Sequence, residues 1–108
     1  MKIQPVGMGI VGVLLAPLPL MAQYPIIFNN VKFITMSQEQ CEQRAEVAMR
    51  QAGFTEDFEP IGRGAFGVNG RYSASIRCEA GRGVVFFAVA GPDNATSRNL
   101  VVRLQRTF

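Results

Sequence analysis

Apolar positions recur at helical spacing along residues 37–54. Cys41, Ala45, Ala48, Met49 and Ala52 fall at i, i+4, i+7, i+8 and i+11, so they share one face. Glu39, Glu42, Gln43, Glu46 and Arg50 take the other. Both ends are marked. Ser37 fits an N-cap, with Gln40 as the return half of a capping box, and Met36 and Cys41 have the spacing of a hydrophobic staple. Gly53 fits the left-handed position just past a helix end, with Phe54 as its apolar partner. The pattern predicts a helix over residues 38–52.

The period then changes. Residues 71–78 alternate: Tyr72, Ala74, Ile76 and Cys78 point one way, and Arg71, Ser73, Ser75 and Arg77 the other. This predicts a half-buried strand with Cys78 on the core side. Asn69-Gly70 before it is a hairpin signal. Residues 61–68 then form the first arm, made irregular by Gly62, Gly64 and Gly67. A turn at residues 79–83 leads into residues 84–90. These are continuously apolar and predict a central strand with both faces at least partly covered. Residues 91–93 end it. Residues 94–108 return to helical spacing, with Leu100, Val101, Leu104 and Phe108 on one face and Thr96 or Ser97 as the cap.

Two stretches are less defined. Residues 55–60 are acidic and read as a loop. In residues 24–35, Asn29-Asn30 between apolar triplets fits a short hairpin, a single edge strand or a loose leader. The order is (β)αβββα. The fold class is therefore α+β: an antiparallel sheet of three to four strands with two helices on one face.

Length and charge refine this picture. A chain of 108 residues holds one small domain. Lys2 followed by the uncharged, apolar residues 6–22 and the small Ala22 predicts a signal peptide cleaved before Gln23. The alternative is an uncleaved anchor, which Pro17 and Pro19 weaken. The organisation is then residues 1–22 as signal peptide, 23–36 as an N-terminal segment or edge strand, and 37–108 as a single α+β domain. Export leads to the periplasm or outside the cell, with no membrane span after cleavage.

Such a chain has a thin core and gains from a staple. The only cysteines, Cys41 and Cys78, both fall on inward faces, one by helical and one by strand periodicity. Export and this phase predict a Cys41–Cys78 disulfide, the alternative being two buried thiols. There is no CxxC, so a redox motif is not expected.

Candidate chemistry is sparse. The chain has no histidine, the commonest general base and metal ligand. Ser73 and Ser75 lack a partner base. Glu56, Asp57 and Glu59 do not have EF-hand spacing. Gly62, Gly64 and Gly67 match GxGxxG, but a hairpin follows where the dinucleotide fingerprint needs a helix. The expectation is a protein with no catalytic residue, cofactor or metal, and not an enzyme. Carboxylate-only catalysis is the remotest reading.

A surface remains. Residues 39–59 hold six carboxylates against Arg44 and Arg50, and residues 60–108 hold seven arginines against Glu79 and Asp93. Opposed solvated faces explain this, or the second half meets an anionic partner. Arg71, Ser73, Ser75 and Arg77 form the candidate binding face, with Val and Phe side chains of residues 84–90 beside them. In the plainer reading, arginine stems cover those apolar side chains and residues 24–35 close the face. Expected partners are an envelope protein or an anionic polymer, not nucleic acid. The function is a non-catalytic binding or interaction module, with a structural envelope-associated protein as the alternative.

The spacing of SQEQCEQRAEVAMRQAGF, GVNGRYSASIRC and VVFFAVAGPD before an amphipathic helix resembles a family of small exported bacterial α+β domains of unknown function. The resemblance covers residues 37–108 and rests on the two cysteines, the AGF helix end and the AGPD turn. It implies the same fold and export, and assigns no activity or site residue.

Overall fold

The computed structural model describes residues 24–108, so the expected signal peptide, residues 1–22, lies outside the described residues. The elements are β1 (Ile26–Phe33), α1 (Gln38–Gln51), β2 (Glu56–Pro60), β3 (Gly64–Asn69), β4 (Tyr72–Glu79), β5 (Val84–Gly91) and α2 (Asn94–Thr107). A short 3-10 turn, Ala80–Arg82, links β4 to β5. The fold is α+β with one five-stranded antiparallel sheet, one strand more than the upper expectation. The strand order is β1-β5-β4-β3-β2. After β1 the chain crosses through α1 to the far edge. It then returns as a meander, β2 to β5, and β5 docks beside β1.

α1 forms where its apolar spacing and caps place it. Ser37 Oγ accepts from the Gln40 N–H at 3.1 Å, and Gln40 Oε1 accepts from the Ser37 N–H at 3.2 Å, so the capping box is complete. The helix ends at Ala52, and Gly53 follows at φ 96°, a conformation that a side chain disfavours. Cys41, Ala45, Ala48, Met49 and Ala52 are all buried. Three of these five are alanines, which brings the helix axis close to the sheet. Close packing sets strict limits there. A Cβ on Gly67 would stand 2.3 Å from the Phe54 carbonyl, and one on Gly64 would stand 1.8 Å from that of Ile76. These glycines of the GxGxxG match lie in a strand pressed against its neighbours, and no helix follows them.

The core lies between the sheet and the two helices. α1 packs on β3 and β4, and α2 on β5 and β1. Ile76, Val85, Phe87, Val89 and Leu104 are fully buried. Phe87 and Phe108 meet edge to face with ring centres 5.5 Å apart. Thr107 Oγ1 donates to the Ala48 carbonyl at 3.1 Å, which ties the two helices together. Cys41 and Cys78 form the disulfide, with Cα atoms 6.0 Å apart. Beside it the Gln38 amide donates to the Cys78 carbonyl at 3.0 Å and accepts from the Ala80 N–H at 2.9 Å. The start of α1 is thus fastened twice to the end of β4.

Several expectations need correction. Residues 56–60 are a strand rather than a loop. β3 supplies the ladder partner, and Arg50 lies 4.1 Å from the Phe58 ring centre, so tertiary contacts override the poor strand propensity of these residues. β2 is bulged between Glu56 and Glu59, where Asp57 takes φ 46°. Residues 24–35 form one edge strand, not a hairpin or a cover. α2 is capped by Asp93, whose carboxylate accepts from the Thr96 N–H at 3.0 Å, rather than by Thr96 or Ser97. Ser97 is instead buried against Gly91, its hydroxyl the buried side-chain group without a hydrogen-bond partner among the described residues.

Candidate functional site

Both helices pack on one side of the sheet, so among the described residues the other side has no layer over it. Its composition follows from the register, because residues directly opposite in antiparallel strands share a face. One row runs Ile27, Ala90, Ser73, Val68 from β1 to β3. The next runs Asn29, Ala88, Ser75, Phe66. The third runs Val31, Phe86, Arg77, Gly64, and the last Phe33, Val84, Glu79.

Three of the four expected binding residues, Ser73, Ser75 and Arg77, lie on this face. With Ala88 and Ala90, the two serines make a shallow trough of small side chains. β1 bounds it with Ile27 and Val31, and β3 with Phe66 and Val68. Arg71 is not brought into it. That residue sits in the turn before β4, six positions and about 20 Å of extended chain from Arg77. Arg77 is itself engaged: its Nε donates to Glu79 Oε2 at 2.9 Å. Arg63 takes the same carboxylate in a two-pronged contact at 3.0 and 3.1 Å. Arg77, first, and Arg63 hold the Glu79 carboxyl below its ordinary value. The two arginines of the expected anion-binding face therefore do not converge on a common site.

Apolar exposure distinguishes the face instead. Ile27 is 62% exposed, Val31 43%, Phe33 85% and Phe86 43%. Val31, Phe86 and Phe33 stand in two adjoining rows over β1 and β5, and Ile27 lies two rows further along, beyond Asn29 and Ala88. Residues 84–90 form the central strand expected, with the helix-side residues buried and, on the other face, Val84, Ala88 and Ala90 half-buried and Phe86 exposed. Phe87 is buried under the helices and Phe86 stands in the open. A contiguous apolar patch of this kind marks a contact surface more often than a scattered exposed leucine does. The residues of β1 were missed because the strand is apolar on both faces, so its alternation did not show which side was which. Reading the Ile27-Asn29-Val31-Phe33 set as a face requires knowing that β1 pairs with β5.

The helix side carries other features. A groove of about 400 Å³ is lined by Met36, Gln40, Arg44, Val47, Thr107 and Phe108. The Arg44 guanidinium donates to the Phe108 carbonyl and lies 4.6 Å from its ring centre, so this side chain is held in place by the fold. Among the described residues, no group of three acidic or cysteine side chains is placed to hold a metal ion.

The Tyr72–Asp93 contact and the Glu79 ion pairs add a pH dependence to the fold. The Tyr72 hydroxyl donates to the Asp93 carboxylate. That bond, followed by the Thr96 N–H, lowers the Asp93 carboxyl below its ordinary 3.8, and the same bond raises the Tyr72 hydroxyl above its ordinary 10.0. Asp93 and Glu79, both lowered, contribute stability above their ordinary values and lose it as pH falls through the folded ones. Tyr72, raised, contributes below 10 and loses it as pH rises further. With no histidine and both cysteines bridged, no side chain has an ordinary pKa between about 5 and 8. The melting temperature should therefore be level across that range, and fall below about pH 4 and above about pH 10. Thermal melts across pH check this; a transition near pH 6.5 would contradict it.

These features define a small disulfide-bonded α+β domain whose sheet is closed on one side and open on the other. No family model, no curated protein and no solved structure matches the chain. Among the described residues, no helix is long and apolar enough to cross a membrane.

Proposed function

We propose that this protein is an exported, non-catalytic interaction module that docks a protein partner on the helix-free side of its sheet. The observation that supports this best is the exposure of Val31, Phe33 and Phe86 in two adjoining rows, with Ile27 further along the same face. The small Ser73, Ser75, Ala88 and Ala90 beside them leave room for a partner's apolar side chains. The pairing of Arg77 with Glu79 turns the reading from an anionic polymer toward an apolar protein segment. Export fits the buried disulfide, which an oxidising compartment maintains. The likeness to small exported bacterial domains agrees with this reading and supplies no partner.

The test is a photo-reactive residue placed singly at Phe86, Val31, Glu46 or Arg103 in the protein made in its own host. Adducts of defined mass should form from Phe86 and Val31 on the sheet and not from Glu46 and Arg103 on the helices. Equal trapping from both sides, or none from the sheet, would remove the proposal.

A further inference from the structure

The open face ends at β1, and the two edges of the sheet differ. β2 is five residues long, bulged, acidic at Glu56, Asp57 and Glu59, and closed by Pro60. Each feature discourages a further strand. β1 runs eight residues in unbroken register with β5 and contains no proline. Its one charged residue, Lys32, does not guard the edge: its Nζ lies over the Phe108 ring, 5.7 Å from the centre, on the helix side. Among the described residues no strand lies beside β1 on its outer side. Long, regular, apolar edges of this kind template another strand.

We propose that β1 pairs with β1 of a second copy, antiparallel about Asn30, to form one continuous sheet across the dimer. This deepens the interaction-module reading by naming a second copy as the partner at the β1 end, and it rests on that reading for the role of the joined face. The sequence of β1 is self-complementary about Asn30. Ile27 stands opposite Phe33 of the second copy, twice by symmetry, so the two most exposed side chains of the strand meet. Asn29 stands opposite Val31 on the same face, and Phe28 opposite Lys32 on the helix side.

Other registers do worse. A shift of one residue would set open-face side chains against helix-side ones. Pairing about Asn29 would leave Phe33 opposite Pro25, outside the strand, and pairing about Val31 would leave Ile27 opposite Thr35. Charge weakens the Asn30 register on the helix side, where Lys32 of one copy stands opposite Phe28 and Arg98 of the other. Arg98 lies 5.2 Å from the Phe28 ring centre, and in this register the two Phe28 positions are four residues apart along the strands. Those two positions are about 13 Å apart along the strands, so the two Arg98 side chains do not stand directly opposite each other.

The size sets the strength. An eight-residue strand is about 26 Å long, and a sheet with one helix layer is about 20 Å deep. The footprint is then about 500 Å² per copy, or about 1,000 Å² in total, which is the lower limit for a specific interface. The dimer is therefore expected to be weak and reversible.

Sedimentation equilibrium of the purified, oxidised protein from about 1 to 500 µM tests this, a range that spans a micromolar constant. The wild type should pass from monomer to dimer. Ile27→Lys with Phe33→Lys sets like charges opposite each other twice and should weaken the dimer at least tenfold. Ile27→Lys with Phe33→Glu sets opposite charges there and should restore it. Both positions are exposed, so near-ultraviolet circular dichroism should match the wild type. A wild type that stays monomeric, a double-lysine variant that dimerises as tightly as wild type, or a lysine–glutamate variant no tighter than the double-lysine one would each overturn the proposal. A monomeric wild type that still traps a different protein at Phe86 would reject the second copy and leave the docking face standing.

Discussion

Replacing both cysteines, Cys41→Ala with Cys78→Ala, should lower the stability of this domain by about 4 kcal/mol. The bridge closes a loop of 37 residues, for which the loss of unfolded-state entropy alone is worth about 4 kcal/mol. It also joins α1 to β4 beside the two hydrogen bonds of Gln38. Both cysteines are fully buried. A domain of this size has a total stability of about 5 kcal/mol, so the double variant should keep only about 1 kcal/mol, with roughly one molecule in six unfolded. Reduction of the wild type should approach the same state. Urea unfolding of the oxidised, reduced and double-alanine forms checks this. A loss of under about 1 kcal/mol would mean that the staple is not what holds α1 to β4.

The fold was largely legible in the sequence because its strongest signals are local. The Ser37 and Gln40 capping pair, the apolar stripe of α1, the alternation of residues 71–78 and the Asn69-Gly70 turn each depend on a few neighbouring residues. The disulfide followed from two such local signals agreeing. One error is local, the cap of α2, where Asp93 accepts from Thr96 three positions on; the others are non-local. The residues of β2 have no strand character of their own and become a strand only because β3 offers them a ladder. Asp93 caps α2 while also holding Tyr72, which lies 21 positions earlier in the chain.

The candidate site was legible only in part, for the same reason. Alternation along β4 correctly sent Ser73, Ser75 and Arg77 to the side away from the core. It did not show that Glu79 would engage Arg77, nor that Arg71 belongs to the turn. The continuous apolar run of β5 marked the central strand but not the difference between its two faces. Runs of that kind are usual where both faces are covered, and here one face is apolar without a cover among the described residues. That mismatch between composition and burial is the main physical reason to assign the face a partner.

Phe86 and Phe87 test this most directly, since they are neighbours in β5 with opposite surroundings. Phe87 is fully buried and packs on Phe108, so Phe87→Ala should cost about 3–5 kcal/mol through the cavity it leaves. Phe86 projects from the helix-free side opposite Val31 and Arg77, so Phe86→Ala should cost about 0.5 kcal/mol. The measurement is a pair of denaturant unfolding curves beside the wild type. A large loss for Phe87→Ala with almost none for Phe86→Ala is the expected result, and it would leave the Phe86 face free to bind. Comparable losses for the two would mean that both faces of β5 are core, and would contradict an open docking surface.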